Sequence, residues 1–173
     1  MLNADIVLAV ALYRLLAPAG AGLAMAGAIW RLANAVMLAI GVVTELMAVD
    51  VATDSRYSAA LGAPQASEIM RVLLNTHGTA TSVGLIFFGL GAGLHAWLFW
   101  VSRYLPRLLS GAYLAIAAAI SLSCALLIVF PGVIAVVDPW IIAPDFVIEL
   151  AVALWLLIKG AGADPATKSI GLA

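Results

Sequence analysis

Charge and cysteine are both scarce in this chain. Only 10% of its 173 residues are charged and the formal net charge is -1, so it has no basic surface of the kind nucleic acid requires. Cys124 is the only cysteine, which excludes an internal disulfide and every CxxC-type zinc or redox site; it reads as a small apolar packing residue. Histidine occurs twice, at His77 and His95. No GxSxG, HExxH or P-loop pattern is present, and neither histidine lies close in sequence to a serine or cysteine nucleophile. The sequence gives no ground for an enzyme and names no cofactor or metal.

What is abundant is apolar surface. Hydrophobic residues make up 65% of the chain and the mean hydropathy is +1.16, more than a water-soluble fold can bury. Since a membrane crossing needs roughly 20 residues, residues 1–173 form one all-α domain, a transmembrane bundle of about five helices. A short apolar run from Ile6 to Leu16 resembles a signal peptide, but no Lys or Arg precedes it and Arg14 lies within it, so it is read as part of the mature fold.

Punctuation divides the chain. The first helix is expected from Ala4 to Leu16, ending before Pro18 and Gly20, and the second from Gly22 to Val49. Residues 50–67, with Asp50, Asp54, Ser55, Arg56, Gly62, Pro64 and Gln65, read as an extramembrane loop. Ser67 is the expected N-cap of a third helix running to Ser102, with Trp97, Trp100 and Tyr104 at an interface. A tight basic turn, Arg103 to Arg107, leads into a fourth helix, Leu108 to Phe130, stopped by Pro131-Gly132. Trp140 marks the opposite interface. The last helix is expected from Asp145, after Pro144, to Lys159-Gly160, followed by a polar tail over 161–173.

Basic residues near helix ends set orientation. Arg14, Arg103, Arg107, Lys159 and Lys168 fall on one side, Arg56 and Arg71 on the other. The expected location is the inner (plasma) membrane, multi-pass, with the C-terminus cytoplasmic and, after five crossings, the N-terminus outside.

The segments LIFFGL, RYLPRLLSG and ELAVALWLLIKG between Leu85 and Gly160, in that order and spacing, resemble the bacterial membrane-protein family called domain of unknown function 4386. DIVLAVALYRLLAP and WRLANAVMLAI resemble that family's second and third helices. The resemblance implies a helical membrane protein of about six crossings of which this chain lacks the first; it carries no activity. Where the family often has an acidic residue after the arginine of its third helix, this chain has Asn34.

Charged groups at bilayer depth cost about 2.5 kcal/mol or more unless they face protein, pair or line water. The intramembrane polar residues singled out are Arg31, Asn34, Glu45, Arg71, His77, His95 and Glu149. At 100° per residue, Arg31, Asn34 and Glu45 share a stripe with Gly27 and Gly41, and His77 and His95 share a face with Gly84, Phe88 and Gly91. Gly84, Gly89, Gly91 and Gly93 are helix-packing positions, Gly89 and Gly93 forming a GxxxG pair suited to the chain's own bundle or to self-association. Ser121, Ser123 and Cys124 are expected to bond to local carbonyls of the fourth helix.

Orientation places Arg31 near mid-membrane and Glu149 toward the outside, which argues against their direct pairing; Glu45, Glu149, Arg71 and His77 form the expected outer cluster. Three functional classes follow. The first is a structural or accessory subunit packing against a membrane-protein partner or itself, its polar residues fixing helix register. The second is a small-molecule or proton transporter or ligand-binding protein built on the carboxylates. The third is a pigment- or haem-associated subunit. Beyond these, the one partner the composition itself dictates is the lipid bilayer.

Overall fold

A computed structural model describes residues 2–130 and 138–160. They form five helices and no strand: α1 (Leu2–Thr53), α2 (Ser55–Leu61), α3 (Ala63–Ser102), α4 (Arg107–Val129) and α5 (Asp138–Lys159). Among the described residues, helical stretches of α1, α3 and α4 are long and apolar enough to cross a membrane. The stop at Pro131-Gly132, the side chain of Trp140 and the tail 161–173 lie outside what is described.

α1 is two helices in sequence terms. Pro18 removes a backbone donor, and Gly20 leaves helical geometry with φ 170 and ψ 89. Leu8 and Leu12 line the same cleft as Arg31, whereas a straight helix would hold Leu12 and Arg31 about 28 Å apart. The chain therefore doubles back at Gly20 into antiparallel arms, 2–19 and 21–53. The turn abuts Leu98 of α3, whose Cδ2 would lie 3.0 Å from a Cβ on Gly20.

Residues 50–67 are largely helical, which corrects the expected loop. Asp54 breaks α1 and caps α2: its Oδ1 accepts from Arg56 N at 2.9 Å, and its carboxylate also accepts from the Arg56 guanidinium at 2.6–3.1 Å. Those bonds hold the Asp54 carboxyl below the usual carboxylate range. Gly62, at φ 83, then turns the chain into α3, with Pro64 in the first turn. Ser67 is thus not an N-cap. It lies inside α3, and its Oγ donates to Ala63 O at 2.9 Å.

α5 also begins earlier than expected. It runs from Asp138 through Pro144, so the proline sits inside the helix rather than before it. Glu149 then lies midway along α5 instead of near its start.

The interior is made of small residues at close approaches. A Cβ on Gly91 would lie 2.8 Å from Gly27 O, and one on Gly89 would lie 2.5 Å from Ala117 O and 2.2 Å from Ser121 Oγ. Gly91 thus seats α3 on α1 and Gly89 seats it on α4, where Ser121 Oγ donates across to Ile86 O at 3.2 Å. That bond reaches a neighbouring helix, not a local carbonyl as expected. Around them pack Leu12, Leu16, Phe88, Ala92, Ala96, Phe99, Tyr113, Ala117 and Ile120. The outer face carries exposed Val7, Leu108, Leu157 and Ile158, apolar surface suited to lipid and not to water.

Gly89→Ala and Gly91→Ala are each expected to destabilise the bundle by about 1–3 kcal/mol through overpacking. Gly78→Ala, where a Cβ meets nothing within 4 Å, should be neutral or stabilising. Thermal unfolding in mild detergent distinguishes the three; equal midpoints would refute the close approaches.

Candidate functional site

The two faces recognised in the sequence lie against each other. α1's second arm and α3 run antiparallel, with Gly27 opposite His95, Arg31 opposite Gly91, Asn34 opposite Gly84 and Gly41 opposite His77. His95 is wholly buried; a Cβ on Gly27 would lie 2.5 Å from its Nε2. Asn34 is 4% exposed, its Oδ1 turned to Gly84 without a hydrogen bond.

Arg31 is the hub. It is 2% exposed and stacks its guanidinium over the Phe88 ring of α3, 4.8 Å from the centroid. Its Nη2 donates to the Tyr113 hydroxyl of α4 at 2.9 Å and to Glu149 Oε1 of α5. Tyr113 in turn donates to Glu149 Oε1 at 3.1 Å. The ion pair that orientation argued against is therefore formed. With α5 beginning at Asp138, Glu149 lies about 15 Å from the helix end at Lys159, and Arg31 about 16 Å from the turn at Gly20, so the two share a depth.

The pair spans a gap. Among the described residues no Cα of α5 comes within 8 Å of one in α1, and the close backbone packing of α5 is on α4. Between α5 and the first arm of α1 lies a cleft of about 260 Å³, walled by Leu8, Leu12, Phe99, Phe146, Leu150, Val152 and Leu156, with Arg31, Tyr113 and Glu149 as its polar side. Glu149 is 31% exposed there. One turn earlier, Asp145 is 9% exposed and its Oδ1 has no hydrogen-bond partner. Two carboxylates thus sit near one arginine.

The expected outer cluster separates into pieces. Arg71 bonds to Glu68, with its Nη2 at 2.6 Å, on the exposed surface of α3. His77 Nδ1 donates to Gly41 O at 2.9 Å and lies 3.8 Å from Glu45 Oε2. Glu45 is about 37 Å along α1 from Gly20, farther than the roughly 30 Å of a hydrocarbon layer, consistent with its 55% exposure. Glu149 belongs to neither piece. Of the glycines, Gly84, Gly89 and Gly91 pack within the bundle, while Gly93, with Gly89 beside it, lines an outward apolar groove with Trp30, Leu90, Trp97 and Leu114.

Sequence reasoning missed Tyr113. Its one signal is position: a tyrosine in the first third of α4, inside an Ala- and Leu-rich helix, needs a partner for its hydroxyl when buried. Phe88 was placed on the correct face but not as the arginine's stacking partner.

Arg31→Met leaves Glu149 without its cation and should destabilise the bundle by about 3–5 kcal/mol, whereas Arg31→Met combined with Glu149→Leu should recover most of the loss. Tyr113→Phe should cost about 1 kcal/mol. Unfolding midpoints of these variants and of Glu149→Leu alone test this; additive effects of Arg31→Met and Glu149→Leu would contradict a direct pair.

No curated protein and no solved structure matches the chain. One family profile does, that of a domain of unknown function, DUF4386, over residues 1–160. A bundle of apolar helices tied together inside by one arginine, in a chain matched over all but its last 13 residues, is a member of the DUF4386 family of unknown function.

Proposed function

We propose that this membrane protein handles a small solute or protons at the Arg31–Tyr113–Glu149 cleft. The observation that carries the reading is the ion pair joining two helices whose backbones stay more than 8 Å apart, with its carboxylate partly exposed on an apolar cleft.

The chemistry follows from charge balance. While Glu149 is ionised, it neutralises Arg31 and draws α5 toward α1. When Glu149 takes a proton, the arginine loses its counter-ion, and either an anionic group entering the cleft or Asp145 must replace it. α5, whose backbone packs closely on α4 and not on α1, can then shift away from α1. Proton uptake and solute entry are coupled through the single cation.

The accessory-subunit reading rested on glycine-rich faces open to partners. Gly84, Gly89 and Gly91 are occupied within the bundle, leaving only the groove beside Gly93 in its favour. A haem-associated role fares less well, because His95 exposes no ring nitrogen and His77 is turned to Gly41 and Glu45.

Proteoliposomes under an imposed pH gradient test the proposal. The wild type should carry protons at least about tenfold faster than Glu149→Gln, with Tyr113→Phe intermediate and Glu45→Gln within about twofold of wild type. Equal rates for wild type, Glu149→Gln and empty vesicles would contradict a proton pathway.

A further inference from the structure

At the end of the bundle where α3 and α5 finish and α4 starts, a second cavity of about 470 Å³ is lined by Arg103, Tyr104, Leu105, Pro106, Arg107, Trp155, Lys159 and Gly160. Three cations converge there from three helix ends. Among the described residues, no acidic residue lines the cavity, and none of the three cations forms an ion pair. Of the four arginines elsewhere, Arg31, Arg56 and Arg71 each have a carboxylate partner, and Arg14 alone forms no ion pair among the described residues.

The backbone at Arg103 is unusual. Arg103 caps α3 in the left-handed conformation, φ 58 and ψ 25, a position where glycine would sit without steric cost. Arg103 lines the cavity from this locally strained position. Tyr104 and Trp155, amphipathic aromatics, stand beside it, the residue types that seat at headgroup level.

We infer that this cavity binds the phosphate headgroup of an anionic glycerophospholipid. The chemistry matches in three respects. A phosphodiester supplies the missing negative charge to two guanidiniums and an ammonium. The cavity lies where helices end, at headgroup depth, so the acyl chains of the same lipid can lie along exposed Leu108, Leu157 and Ile158. Basic pockets between helix ends are suited to such headgroups. The site is separate from the Arg31 cleft, which lies about 15 Å deeper along α5.

The test uses the full chain in mild detergent, titrated with dioleoyl phosphatidylglycerol, with dioleoyl phosphatidylcholine and with inorganic phosphate, and bound lipid is read by native mass spectrometry. Phosphatidylglycerol should bind in preference to phosphatidylcholine. Replacing Arg103, Arg107 and Lys159 together by Gln should weaken it about 100-fold, on the basis of roughly fivefold per cation near an anionic surface. Should the triple variant fail to fold, Lys159→Gln alone, at an exposed helix end, should give about fivefold. Equal retention of the two lipids, or unchanged binding in the variants, would overturn the assignment. So would inorganic phosphate saturating the site and displacing the lipid at micromolar concentration, which would mark a site for free phosphate.

Discussion

A guanidinium held inside a membrane must be neutralised where it stands, and Arg31 meets that constraint with one partner from each of the other long helices. Phe88 of α3 offers its ring face, Tyr113 of α4 its hydroxyl, and Glu149 of α5 its carboxylate. The alternatives are costly: an unpaired arginine at the bilayer centre is disfavoured by about 2.5 kcal/mol on the lowest scales and by far more on others. Lipid tails provide no hydrophobic drive to bring α5 against α1. The ion pair takes over that task, and the cleft lies beside it.

The glycine approaches make this geometry possible. Gly91 brings the α3 backbone to Gly27 and Arg31, setting the guanidinium over Phe88 rather than pushing it outward. Gly89 does the same on the α4 side, where Ala117 and Ser121 approach it one and two turns beyond Tyr113. Sequence and packing therefore converge on one layer of the bundle, from which the charged pair faces the cleft.

Much of this was legible beforehand, and the failures have physical causes. The stripe of Gly27, Arg31, Asn34 and Gly41 and the face of His77, Gly84, Phe88, Gly91 and His95 follow from helical periodicity alone, and the two meet antiparallel. The arginine's partner was misjudged because Pro144 was read as a helix start. Proline is tolerated within α5, and shifting the start to Asp138 moves Glu149 to the depth of Arg31. Polar residues between 50 and 67 suggested a loop, yet Asp54 caps one helix and Gly62 opens another, local chemistry that composition does not resolve. The Tyr113 contact needed three helices to be placed at once, which no spacing within one segment encodes.

The central claim is the direct contact between Arg31 and Glu149. Solid-state NMR on the protein in lipid bilayers, labelled with 15N in arginine side chains and 13C in glutamate carboxylates, measures it through their dipolar coupling. The account predicts one strong coupling that disappears in Glu149→Gln, the other glutamates having no arginine partner except Glu68 with Arg71. A spectrum in which Glu149→Gln removes no coupling would contradict it.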